Sequence, residues 1–427
     1  MALGALLAFA AALAAFALVT RDDGSPTPAA AAVPRARPGA PTPERIVALQ
    51  AAVRADGRRA DRWTQLAGAY LQRVRETGDT ALYGRADEAL RRALRLRPGD
   101  PGALTQRGAL ALARHDFRAG LLDARRARRV APEVTKPFGV LVDALVELGR
   151  YREAGRALQA MVDRRPDLAS YARVSYFREL HGDLDGAVGA MRLAASAGGE
   201  APEHVSWSQS LLGGLELQRG RPLAAGRAFR AALARTPGYP PAQAGLARVD
   251  AAAGRLPAAI RRLEDVVERL PLPEHVVALG EAQLAAGRAQ TGRRTLQLVG
   301  AQRRLLARAG VDTDVELALF EAEHGSARRA LTLARRAWAA APGVRSADAL
   351  GRALTRAGRP AEGLRSARRA LRLGSRDAAF LLHGGLAARA AGRSALARRW
   401  LAGAAGRRGA LGPLQARVAR RALGGLR

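Results

Sequence analysis

The stretch LGRYREAGRALQAMVDRRPD, residues 148–167, decides the architecture. Its skeleton is Gly149, Tyr151, Ala154, Leu158 and Pro166, and that skeleton returns along the chain. Prolines closing an Arg/Ala-rich segment fall at 98, 132 and 166, and again at 237 and 271, each step being 34 residues. Glycines placed for a tight turn fall at 149, 182, 220, 254, 287, 325, 358 and 392, with steps of 33, 38, 34, 33, 38, 33 and 34. A period in this range is the signature of a helical repeat array.

Each unit reads as the same physical parts. A first helix carries a small residue midway: Gly108, Gly213, Gly280, Gly351 or Gly385. A glycine then reverses the chain, because glycine takes positive φ without steric cost. The second helix places alanine at its close contact (Ala154, Ala187, Ala225, Ala259, Ala330, Ala397). Four residues later a larger side chain follows: Leu158, Met191, Phe229, Leu263 or Leu401. Four apart is one helix face, so the two form a single interlocking stripe.

Composition agrees. The 427 residues are 48% hydrophobic and 25% charged but only 4% aromatic, a folding chain rich in helix formers. The net charge of +32 invites nucleic acid or an anionic surface as partner. Yet Lys136 is the only lysine among 70 Lys and Arg, so a compositional preference for arginine on solvated faces accounts for the charge as well. Neither interleaved aromatics nor a nucleic-acid motif is present, and nucleic acid is not an expected partner. The absence of cysteine excludes disulfides, thiol catalysis and cysteine-based zinc sites.

The residues resemble the tetratricopeptide repeat family. The first unit carries its pattern as Trp63-x2-Leu66-Ala67-x2-Tyr70, then Ala86-x3-Leu90, Ala93 and Pro98, with Ala67 where the family usually has glycine. Ten units in register cover about residues 60–407. The resemblance implies an all-α, right-handed superhelical solenoid of about ten helix-turn-helix repeats; the apolar amino terminus is expected to add one N-terminal transmembrane or signal helix before it. The expected domains are residues 1–20 as anchor, 21–43 as a Pro/Ala-rich linker, 44–410 as the solenoid and 411–427 as a capping helix. Since each repeat touches its neighbours, stability is expected as a sum of local interfaces with no central core.

At the amino terminus, residues 1–19 carry no charge, and nineteen residues at 1.5 Å rise nearly match a hydrocarbon core of about 30 Å. An uncleaved anchor is expected. A cleaved signal, with Ala30 and Ala32 in an Ala-x-Ala site, stands as the alternative. The arginines after the segment favour a cytoplasmic body, whereas a short apolar segment at the extreme terminus usually exports the chain behind it. A single-pass membrane protein with extracytoplasmic repeats, in a bacterial-type envelope, is the expectation; secretion or a cytoplasmic face are the alternatives.

No catalytic, cofactor or metal set is evident. The six histidines never stand at zinc-ligand spacing, and Lys136 follows no phosphate-binding glycine loop. In HGDLDGA, residues 181–187, Asp183 sits where a helix needs an N-cap, not where a calcium loop would place it. The family resemblance places partner binding in the concave groove lined by first helices. The side chains it puts there include Asp143, Glu147, Tyr176, Glu179, Trp207, Gln218, Glu281, Asp312, Glu323, Arg352 and Arg356. That groove reads as acidic with two aromatics in the middle and basic toward the carboxy terminus. It would suit an extended peptide or partner helix with positive charge or an aromatic anchor; plain solvated faces are the competing reading. The expected protein is a non-catalytic membrane-tethered scaffold with a protein or peptide partner and no small-molecule substrate. The alternative is a binder of nucleic acid, envelope polymer or phospholipid through an Arg-rich outer face.

Overall fold

The computed structural model describes residues 40–199 and 201–426. Among them the chain forms twenty-two helices and no strand. Thr42–Ala55 precedes ten helical hairpins, and Pro413–Gly424 follows them. The inner helices of units 1 to 5 are Ala60–Thr77, Pro101–Ala113, Lys136–Glu147, Leu168–Leu180 and Pro202–Gln218. Those of units 6 to 10 are Pro240–Ala252, Pro273–Ala285, Asp314–His324, Val344–Arg356 and Ala378–Ala390. The apolar segment at residues 1–20 lies outside the described residues. Among the described ones no helix is long and apolar enough to cross a membrane.

Local chemistry explains the element boundaries. Asp100, Asp116, Asp183 and Asp377 each accept a backbone N–H of the helix they open, as N-caps do. Pro222, Pro240, Pro273 and Pro360 sit at or next to the first helical position, where a missing N–H costs nothing. Ala154 and Leu158 are both buried, as the four-residue stripe requires. At Gly280 the helices of unit 7 cross so closely that a Cβ would stand 2.7 Å from Leu296.

The turn glycines divide into two kinds. Those at 149, 182, 220, 254, 287, 358 and 392 have φ between 70° and 81°. Gly325 does not: its φ is −134°. There the turn is held by Glu321, whose carboxylate accepts the Ser326 N–H at 3.0 Å, so left-handed backbone is not needed. In unit 2, His115 takes the left-handed position with φ 62°, and its Nδ1 contacts the Asp312 carbonyl oxygen.

That last contact shows how the array is wound. The end of each early inner helix meets the start of the inner helix six units later. Arg114 Nε donates to the Ala309 carbonyl at 3.0 Å, between units 2 and 8. The Val344 N–H donates to the Tyr151 hydroxyl at 2.8 Å, between units 3 and 9. A Cβ on Gly182 would stand 2.2 Å from the Gly374 carbonyl oxygen, between units 4 and 10. The superhelix therefore makes one turn in six units and lays the second turn on the first. This corrects the expectation of an array without a central core. One apolar cluster joins Val140, Leu145, Tyr176 and Trp207 of the first turn to Val344, Ala347 and Phe380 of the second. Neighbour-only contact holds for a loose superhelix, but a tight one adds interfaces between turns.

Candidate functional site: an axial cavity in a closed superhelix

The winding decides what the inner helices can present. Between units 3–5 and 9–10 they meet each other, and polar side chains there are spent on pairing. Arg173, 1% exposed, forks onto Asp143 with Nε–Oδ1 at 2.9 Å and Nη2–Oδ2 at 2.7 Å. Glu147 pairs with Arg345 of the second turn at 3.4 Å, and Arg345 also reaches Glu316 at 3.2 Å. Gln218 Nε2 donates to Asp377 at 2.8 Å, and its carbonyl accepts the Ala378 N–H. Tyr176 is buried, and burial pushes its phenol well above the usual range. Burial, reinforced by nearby Asp377, pushes the Glu179 carboxyl up to about 8.

Glu323 is bound by Arg352, with Nη2–Oε2 at 3.0 Å. Burial raises that carboxyl, but hydrogen bonding and charge from Arg352 outweigh burial and hold it at about 2. Arg356 Nε donates to the Ala322 carbonyl at 2.7 Å, so it closes the end of a neighbouring helix. Asp312 lies in the loop before the unit 8 inner helix, where its Oδ1 accepts the Asp314 N–H. The carboxylates and arginines expected to line one open groove thus mostly answer each other. Their spacing carries the logic: 143 with 173, 316 with 345, and 323 with 352 lie 29 or 30 residues apart, on successive inner helices.

Units 1, 2 and 5–8 do not close in the same way. Between them lies a cavity of about 780 Å³. That size falls within the roughly 300–1,000 Å³ of ordinary ligand sites. Apolar side chains dominate its walls, including Leu71, Val74, Trp207, Leu270, Val277 and Phe320. Exposed Glu76, Pro237 and Arg269 belong to its rim. Of the residues expected from sequence, Trp207, Glu281 and Glu323 line it, while Asp143, Glu147, Tyr176, Glu179, Gln218, Asp312, Arg352 and Arg356 do not.

The charged groups on the wall are distinctive. Six glutamates (76, 203, 274, 281, 316, 323) face three arginines (75, 269, 303). Across the chain the balance runs the other way, 70 Lys and Arg to 38 Asp and Glu. Glu281, 3% exposed, pairs one oxygen with His324 Nε2 at 2.9 Å, and its other oxygen has no hydrogen-bond partner among the described residues. Burial raises the Glu274 carboxyl, and Glu274 forms no ion pair among the described residues. On the opposite wall, burial pulls Arg75 down to about 10, against the raising effect of Glu203 and Glu76.

Arg75, Tyr83, Glu203, Tyr239 and Glu316 were not readable as wall residues. For Glu316 a signal exists: Glu316 and Glu323 repeat the seven-residue spacing of Glu274 and Glu281. For the others it does not, because helices four to six units apart meet only through the pitch. No group of three or more His, Cys, Asp or Glu side chains is placed to hold a metal among the described residues.

The tetratricopeptide repeat family matches residues 216–279. Among solved structures the chain is similar to the human IFIT1 dimer with PPP-AAAA, at 17% identity and TM-score 0.48, covering 74% of this chain and 73% of that one. It is also similar to the APC/C hetero-tetramer Cut9–Hcn1, at 14% identity and TM-score 0.38, covering 90% and 93%. The tetratricopeptide domain of P58(IPK) is a third, at 13% identity and TM-score 0.29, covering 90% and 94%. No curated protein matches the sequence.

Proposed function

The chain being an array of tetratricopeptide repeats, we propose that it is a non-catalytic scaffold that receives a short extended peptide of a protein partner in its axial cavity. The carrying observation is the 780 Å³ apolar cavity, bounded by inner helices of both superhelical turns. At units 3–5 and 9–10 the inner face is filled by its own side chains, so a peptide running the length of a groove has no room there. A short segment does, with apolar side chains on Trp207 and Phe320 and its backbone reaching the rim.

The test is a displayed random-peptide library selected on the protein and on Val277→Trp, which fills the cavity from its wall. Peptides enriched on the first are expected to lose binding to the second. Equal binding to both would sink the cavity as the site.

The proposal includes a membrane tether formed by residues 1–20, with the linker to residue 43 holding the array clear of the bilayer and the array on the extracytoplasmic side. Ser394 is exposed, and the chain has no cysteine, so Ser394→Cys supplies a single labelling site. An impermeant maleimide is expected to label it in intact cells; labelling only after lysis would put the array inside.

A second reading is motivated by the outer helix Ala289–Arg308, the longest described. Its exposed face carries Arg293, Arg294, Arg304 and Arg308 around exposed Leu298 and Leu305, with no carboxylate on the helix. That face suits an anionic lipid surface. Co-sedimentation with phosphatidylserine vesicles that survives in Arg294→Ser/Arg304→Ser/Arg308→Ser would dismiss it.

A further inference from the structure

The wall of the cavity specifies the chemistry of its occupant. The inner helices of units 7 and 8 are linked by the Glu281–His324 pair, and each lines the cavity with two glutamates seven residues apart: Glu274 and Glu281 on one, Glu316 and Glu323 on the other. Seven residues is two helical turns, so each pair shares one face, about 10 Å apart along the helix. The result is a two-by-two grid of carboxylates. Between the members of each pair stand apolar side chains, Val277 on one helix and Phe320 on the other.

The grid is incompletely neutralised from within. Glu323 has Arg352, and Glu316 has one oxygen on Arg345 while its other oxygen has no hydrogen-bond partner among the described residues. Glu281 has only the His324 imidazole, and Glu274 has no paired cation among the described residues. Two guanidinium groups and one imidazole therefore serve four carboxylates. In a low-dielectric cavity an uncompensated carboxylate is costly, and a cation that neutralises it regains what burial took. Apart from the His275 and His324 imidazoles these two helices carry no basic side chain, and the three wall arginines, 75, 269 and 303, stand on other segments.

We propose that the cavity selects a basic apolar peptide segment, with a lysine or arginine of the partner held among Glu274, Glu281 and Glu316. Flanking apolar residues then pack on Val277, Phe320 and Trp207. This rests on the cavity being the peptide site and adds the sign of the charge it accepts. It also separates the interior from the exterior. The +32 net charge repels such a segment, whereas the cavity, whose sign is inverted, attracts it.

The test uses the full chain and two fluorescein-labelled decapeptides, one alternating leucine with arginine, the other leucine with glutamate. Binding is followed by anisotropy to the wild type, to Val277→Trp, and to Glu274→Gln/Glu316→Gln. Thermal melting checks that both variants stay folded. The arginine peptide is expected to bind, to lose binding in Val277→Trp, and to weaken about tenfold or more in the double glutamine variant. Unchanged binding to the glutamine variant would overturn the charge assignment and leave the cavity as a peptide site. So would a glutamate peptide whose binding depends on Val277 while the arginine peptide's does not. Binding of both peptides that survives Val277→Trp would take down the cavity and the charge assignment together. No detectable binding of the arginine peptide overturns the assignment as well.

Discussion

Units 3 and 4 and units 7 and 8 are built from the same hairpin, yet their inner faces end up in opposite states. Where units 3 and 4 meet 9 and 10, large side chains from both turns interlock: Tyr151, Tyr176 and Phe380 share one cluster, Arg173 is ion-paired with Asp143, and Arg345 with Glu147 across the turns. Where units 7 and 8 face units 1, 2, 5 and 6, the turns touch at their edges, as Arg114 does at Ala309, but leave a cavity between them. The same pitch thus yields a packed joint at one level and a cavity at another.

This contrast can be broken most forcefully at the buried pair. Asp143→Ala leaves Arg173 charged and 1% exposed without its carboxylate. A loss of about 3–5 kcal/mol is expected, read from the shift of the urea midpoint. A shift no larger than that of a surface substitution would show that the joint does not carry the stability assigned to it.

Next come two glycines in equivalent turns. Gly182 and Gly254 both have positive φ, 79° and 81°. A Cβ on Gly182 meets the Gly374 carbonyl oxygen across the turns, whereas nothing stands within 4 Å of one on Gly254. Gly254→Ala is expected to cost about 1 kcal/mol from backbone conformation alone. Gly182→Ala should cost about 2–3 kcal/mol, with faster amide exchange around Gly374. Equal costs would mean that the turns are not in contact there.

A smaller effect comes from Glu179, whose carboxyl is raised to about 8 between units 4 and 10. A raised carboxyl binds its proton more tightly in the folded chain than in the unfolded one. Its contribution is therefore whole at acid pH and is lost as pH climbs from the ordinary carboxylate range through 8. Glu179→Gln, which cannot ionise, should match the wild type near pH 4.5. It should be more stable by about 1–2 kcal/mol above pH 8, because water reaching this partly exposed side chain blunts the full effect. Equal melting temperatures across that window would refute the shift. The smallest change is expected at the cavity, where Val277→Trp adds volume to space already present and should alter stability by no more than about 1 kcal/mol.

Much of this protein was legible along the chain, and the reason is range. The 34-residue step, the alanine-and-leucine stripe and the Asp183 cap are set by contacts within a hairpin or to its neighbour, so each leaves a local pattern. The candidate groove was legible only in part. Inner-helix position placed Trp207, Glu281 and Glu323 on the cavity wall, but the same reasoning placed Glu147 and Arg352 in an open groove. Both are instead engaged in ion pairs, with Arg345 and with Glu323. Gly325 shows a local limit: a carboxylate from Glu321 did the work that a left-handed glycine was expected to do.

The sequence by itself determined the repeat, the helix boundaries and the inner and outer faces, because those arise from periodicities of three to four residues and of one unit. Only the tertiary structure decided that six units close a turn, that the second turn seals most of the groove, and that six glutamates gather in the cavity left over. The pitch is the sum of small rotations at successive hairpin interfaces. A few degrees more per unit brings residues about 190 positions apart into contact, and no short-range pattern records that sum.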